Sequence, residues 1–221
     1  MAKNRSSFLV SATPVSIFAH LLAIAAITLV CVWIFHFQGG VAFKSEIEQK
    51  IFNLHPFLMV IGFIVMGGEG IMAYKTVWSS RKAQKLTHLI FLLIALVSGI
   101  LGVFVAFKYH HEIGLKDMLT LHSWLGMITI CLFGLQWLFA FFSFWYPGAG
   151  MPTRARLVPW HAFVGMVIFL LAICTAETGL LQTFLELGLV SGREALVVNF
   201  TGLIILLYGV AVGLTAILPR T

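Results

Sequence analysis

The chain has 221 residues, of which 60% are hydrophobic and only 10% charged. With a mean hydropathy of +1.01 it falls outside the range of water-soluble domains and reads as a membrane protein. The net charge of +6 follows a loop pattern described below, so it implies no nucleic-acid partner.

Charge-free stretches run from Ser6 to Phe43, Ile51 to Gly68, Leu86 to Phe107, Met118 to Thr153, Leu157 to Ala176 and Ala195 to Pro219. About 20 apolar residues span a bilayer as a helix. The first stretch follows "MAKNRSS" but is longer than a signal-peptide core and has no small-x-small cleavage site. It predicts a helix near Pro14–Phe37, with His20 and His36 as interfacial side chains. The second span, near Ile51–Tyr74, opens on "NLHP" with His55 just inside its head. Further along, Gly67, Gly68 and Gly70 beside Glu69 suit a close helix or cofactor approach; no strand precedes them, so a phosphate loop is not indicated. The third span, near Lys85–Lys108, begins at "KLTHL" with His88, and the fourth, near Met118–Tyr146, at "LHSW" with His122. The fifth, near Pro159–Leu181, begins at "VPWH" with His161 and includes Glu177. The sixth, near Ala195–Leu218, has Asn199 close to its start. The expected fold is an all-α membrane protein with six transmembrane helices in a single domain, residues 1–221.

Loop charges orient these spans. Lys3, Arg5, Lys75, Arg81, Lys82, Lys85, Arg154, Arg156 and Arg220 fall on one side, nine of the fourteen basic residues. Glu46, Glu48, Glu112, Asp117, Glu186 and Glu194 fall on the other. The positive-inside rule then places both termini in the cytosol. Glu69 and Glu177, the carboxylates within spans, are expected near the cytosolic half. Cys31, Cys131 and Cys174 all lie within spans, with no CxxC or CxxCH, and read as small apolar residues.

In this topology the four span-heading histidines form two layers. His55 and His122 lie near the outer face, His88 and His161 near the cytosolic face, roughly 18 Å away at ~1.5 Å rise per residue. A single histidine near a helix end is ordinarily interfacial. Two matched pairs inside apolar helices point instead to an ion, proton or cofactor site. A pair of imidazoles from facing helices suits axial ligation of a b-type haem. Zinc wants more ligands than either layer offers.

Together "NLHP", "AYK", "KLTHL", "LHSW" and "MPTRARLVPWH" resemble the cytochrome b-561 family, in particular its plant members. The resemblance implies four central helices holding two haems b, with His55 and His122 on the outer haem and His88 and His161 on the cytosolic one. It implies electron transfer from cytosolic ascorbate to monodehydroascorbate or a ferric chelate across the membrane, an ascorbate-dependent oxidoreductase activity. A homodimer and a vacuolar, other endomembrane or plasma-membrane location are implied with it. Thr120 stands where the family often has serine before "LHSW" and keeps the hydroxyl.

Ascorbate is an anion, and Lys75, Arg81, Lys82 and Lys85 next to His88 form a positive funnel for it. Lys85, about one helical turn from His88, is the expected donor-binding residue, followed by Lys75 and Arg81. Arg154 and Arg156, ahead of His161, are expected to neutralise haem propionates or ascorbate. On the outer side Lys108 and His110 match family positions for the acceptor, as a cation and a proton donor. Ser123 and Asn199 are expected to donate to haem or substrate, and His111 to face solvent. The competing reading is a non-redox transporter using the histidines as a proton or metal relay. "LLIALVSGILGVF" and "GMVIFLLAICTA", which join the layers, carry too little polarity for one.

Overall fold

Residues 10–220 are described in the computed structural model. Six helices are long and apolar enough to cross a membrane: α1 (Ala12–Phe37), α2 (Glu48–Thr76), α3 (Arg81–Ile113), α4 (Leu121–Trp145), α5 (Met151–Glu186) and α6 (Arg193–Ile217). Consecutive helices from α2 to α5 pack side by side, and α5 also meets α2, so these four close a ring. α1 and α6 pair along their length and cover α2. Both described ends of the chain meet at one face, where the Ala12 N–H donates to the Pro219 carbonyl at 3.0 Å.

Helix limits differ from the sequence reading where charge was taken as an end. α5 starts at Met151, not near Pro159, with a proline in its first turn and Pro159 inside it. A proline is tolerated in the first turn because its missing N–H has no helical partner there. At 36 residues α5 is far longer than a ~30 Å apolar core requires at ~1.5 Å per residue. Its first turns, carrying Arg154 and Arg156, therefore extend beyond that core. α3, at 33 residues, likewise carries the basic cluster on one extension and Lys108 to Glu112 on the other.

Small side chains let α1 approach its neighbours. Ala19, Ala23 and Ala26 are buried in one cluster with Val60 and Ile64 of α2 and Ile205, Tyr208 and Val212 of α6. At the far end Trp33 Nε1 donates to Glu194 at 3.1 Å, fastening α1 to α6. α2 winds in wide π-type turns between Leu58 and Val65, just after Pro56. Such turns leave carbonyls without their usual helical donor. The fully buried Tyr208 hydroxyl supplies one, donating to the Val65 carbonyl at 2.9 Å. Gly68 makes room for that ring: a Cβ there would sit 2.3 Å from the tyrosine oxygen.

α4 differs from the rest. Only 6% of its apolar window is buried, against 50% for α2 and for α6. Leu135 and Phe139 point outward, as lipid-facing side chains do without cost. At the face holding the chain ends stand Lys75, Arg81, Lys82, Lys85, Arg154, Arg156 and Arg220, and Asp and Glu are absent there among the described residues. Lys3 and Arg5, also assigned to that side, lie outside the described residues.

Candidate functional site

The ring brings the four histidines together in two pairs. His55 of α2 and His122 of α4 have ring centroids 5.9 Å apart with planes at 88°. His88 of α3 and His161 of α5 stand 6.0 Å apart at 78°. Each ring is also held from behind through Nδ1. His55 bonds the Gly102 carbonyl on α3 at 3.0 Å, and His88 the Gly70 carbonyl on α2 at 2.8 Å. His122 bonds the Thr175 carbonyl on α5 at 2.9 Å, and His161 the Gln136 side chain on α4 at 2.9 Å.

The scheme is reciprocal. Each of the four helices contributes a histidine to one layer and the partner of a histidine to the other. On α3, α4 and α5 the two are 14 residues apart, from His88 to Gly102, His122 to Gln136 and His161 to Thr175. At ~1.5 Å per residue the layers stand about 21 Å apart. The space between is mainly apolar, with the Phe63 and Phe133 rings 5.0 Å apart.

A backbone carbonyl can only accept, so each of the three rings facing one keeps its proton on Nδ1 and leaves the Nε2 lone pair free for a metal. A cleft of about 1190 Å³, including its open mouth, lies against the His55/His122 pair; Met59, Phe63, Gly126, Met127 and Gly179 are among the residues that line it. A Cβ on Gly179 would fall 2.6 Å from His122 Cε1, so only glycine leaves that ring its place. Two imidazoles, an apolar wall and close glycine contact fit a b-type haem. No group of three or more His, Cys, Asp or Glu side chains gathers as a metal site among the described residues.

The expected substrate residues divide. Lys85 donates to the Phe144 carbonyl at the end of α4, and its Nζ lies 5.5 Å from the Trp145 ring centroid. Arg81 lies over Tyr74 at 5.5 Å, and Tyr74 is 5.3 Å from the His88 ring, which joins this cation to the layer. Arg154, about two helical turns before His161 on α5, has a buried Nε with no hydrogen-bond partner. Lys75 instead donates to the Leu218 carbonyl, away from His88, and Arg156 is exposed. At the other face His110 and Ser123 line the cleft. His110 Nδ1 also meets Asp117 at 2.7 Å. Lys108 is tied to Glu112 at 2.8 Å and to the Phe43 carbonyl at 3.0 Å. Asn199 is exposed on α6 and is not among the residues lining the cleft. His111 is exposed, as expected. Thr120 caps α4, accepting from Ser123 N–H at 3.3 Å, so the hydroxyl kept at that position serves the helix start.

Two placements correct the sequence reading. Glu177 sits between Thr175 and Gly179, at the level of His122, not in the half nearer the chain ends; the direction of α5 makes it so. Its Oε1 is buried without a partner. His20 is more than an interfacial side chain, because its Nδ1 meets Glu69 at 2.9 Å and joins α1 to α2. Sequence reasoning missed Gly102, Gln136, Thr175 and Gly179. Carbonyl acceptors leave no side-chain signal, but the 14-residue step from His122 to Gln136, one polar amide in an apolar run, was legible.

Paired imidazoles held between membrane helices, each oriented from behind, define an integral membrane cytochrome of the b type. The chain belongs to the eukaryotic cytochrome b561 family, which matches residues 54–186, the ring that carries both layers. It is 46% identical to the probable ascorbate-specific transmembrane electron transporter 1 of Oryza sativa subsp. japonica, over 95% of this chain and 92% of the relative. It is 43% identical to transmembrane ascorbate ferrireductase 1 of Arabidopsis thaliana, over 94% and 88% respectively. Identity to the human transmembrane ascorbate-dependent reductase CYB561 is 34%, over 91% and 83%.

Proposed function

We propose that the protein carries electrons across a membrane from cytosolic ascorbate to monodehydroascorbate or a ferric chelate on the other side, using two b haems. The observation that carries this reading is the reciprocal pair of histidine layers about 21 Å apart. His55 and His122 would hold one haem, His88 and His161 the other. When bound, each haem supplies a one-electron couple between ferric and ferrous iron. The names of the rice and Arabidopsis relatives support ascorbate as donor, and that of the Arabidopsis relative supports iron as an acceptor.

The chain's own residues then divide the work. The basic face is taken as cytosolic because cations are retained there. Lys85, Arg81 and Arg154 draw in the ascorbate anion, with Lys75 and Arg156 adding to the local potential. Ascorbate loses one electron and one proton to become monodehydroascorbate, and a ferric acceptor becomes ferrous on gaining that electron. The apolar residues between the layers keep water and ions from crossing alongside it. At the far face His110 and Ser123 offer hydrogen bonds at the mouth of the cleft, and Lys108 sits beside it as a cation shared with Glu112. A homodimer in a vacuolar, other endomembrane or plasma membrane is proposed with this activity on the family resemblance.

Proteoliposomes with trapped ascorbate and an impermeant ferric chelate outside test the reading directly. External ferrous iron should form, and a pyridine haemochrome assay should return two haems per chain. Intact protein purified without haem, or haems that reduce while no external ferrous iron forms, would overturn it.

A further inference from the structure

Three of the four histidines are oriented by main-chain carbonyls, and one is not. Gln136 Nε2 lies 2.9 Å from His161 Nδ1 and 2.9 Å from the His161 carbonyl oxygen. A carbonyl on the main chain offers only an acceptor and cannot be exchanged by mutation. A carboxamide offers a donor at one end and an acceptor at the other, and a half turn swaps them without changing its shape. With the nitrogen towards Nδ1, a neutral His161 keeps its proton on Nε2, the atom that iron needs. With the oxygen there, Nδ1 donates and Nε2 is free, as at His55, His88 and His122. The residue sits where the reciprocal scheme puts a partner, 14 positions after His122, so its placement is part of the pattern and its chemistry is the exception. Gly165 of α5 leaves room beside it, since even an added Cβ there would lie 3.7 Å from the Gln136 nitrogen.

We infer that Gln136 is a positioning residue that selects the His161 tautomer and sets the reduction potential of the haem held by His88 and His161, while the other haem has no comparable side-chain control. This rests on the proposed ligation of that haem. In the structure the amide nitrogen faces Nδ1 and also donates to the His161 carbonyl. With haem bound, the amide turns its oxygen to Nδ1 and gives up the bond to that carbonyl, and Nδ1 donating to it makes the imidazole a stronger electron donor and favours ferric iron. Second-shell partners of ligating histidines act in this way on ligand basicity. The chain thus has one layer whose ligand orientation is written entirely in the backbone and one that a single side chain adjusts.

The test is potentiometric titration of purified, haem-loaded protein with low-spin ferric EPR, on wild type, Gln136→Leu and Gln136→Glu. Wild type must first show two haems, and failure there counts against the proposed function rather than against Gln136. Given two haems, Gln136→Leu should raise one midpoint, shift one of two EPR signals and leave the other haem unchanged. Gln136→Glu, whose carboxylate is a stronger acceptor at the same reach, should lower that midpoint below the wild-type value. If Gln136→Leu binds too little haem for titration, the Gln136→Glu shift alone decides. The inference fails if both variants leave both midpoints in place, if both haems move together, or if glutamate reproduces the leucine shift.

Discussion

The two histidine layers obey one plan and have different surroundings. Around His55 and His122 both ring orientations come from the main chain, a glycine lies flat against one ring, and a wide apolar cleft adjoins the pair. Around His88 and His161 one orientation comes from a side chain, Tyr74 and Phe144 rings crowd the pair at 5.3 Å each, and cations gather at its margin. The first layer is set mainly by shape, and the second by one side chain and by charge. On the proposed function, the second layer would attract the donor anion and the first would hold its group beside the cleft.

The sharpest way to break the comparison is to remove a ligand from each layer in turn. His122→Ala should eliminate one haem of two and His161→Ala the other, each abolishing transmembrane transfer; haem stoichiometry and proteoliposome flux measure both. A variant that retains both haems would show that the layers are not separate sites.

Next in size is the glycine contact that only the far layer has. Gly179→Ala places a methyl group 2.6 Å from His122 Cε1, an overpacking that costs about 1–3 kcal/mol. Thermal unfolding should report that loss together with reduced occupancy of one haem. Gly165→Ala should be mild by comparison, because its nearest neighbour is 3.7 Å away. Equal damage from the two would erase the distinction between the layers.

The charge difference gives a third test. Lys85→Ala should slow reduction by ascorbate on the order of tenfold and reduction by an uncharged donor of similar potential much less, with added salt narrowing the gap. Equal slowing of both donors would leave the basic cluster a purely topological role. Smallest of all should be His110→Gln at the acceptor side, since the ring already shares its Nδ1 with Asp117. A several-fold fall in ferric-chelate reduction, with ascorbate reduction of the haems unchanged, would place His110 in contact with acceptor. No change would confine it to the Asp117 pair.

Much of this architecture was visible before any coordinate. Six apolar runs, one histidine at the head of each of spans two to five, and basic residues concentrated in alternate loops that lack acids follow from composition and spacing alone. The reason is that a bilayer imposes a strong selection on charge and length. Helix ends were less legible, because charge marks where a helix leaves the apolar slab and not where its hydrogen bonding stops; α5 continues through Arg154 and Arg156 for that reason. Glu177 was misplaced for a different one: a span that enters from the cytosolic side near Pro159 already carries residue 177 towards its outer end, and the Thr175 carbonyl against His122 places it there.

The sequence by itself therefore determined the membrane class, the order of the helices and the four imidazoles that pair. Tertiary structure decided what stands behind those imidazoles. Acceptors at Gly70, Gly102 and Thr175 are main-chain atoms that every residue type possesses, so no side-chain pattern could announce them. Tertiary packing likewise decided that Tyr208 completes α2, that Lys75 turns to Leu218 while Lys85 turns to Phe144, and that Asn199 faces outward. Each of these depends on the rotation of one helix against its neighbour, which apolar runs without a strong amphipathic stripe leave open and only side-chain packing between helices resolves.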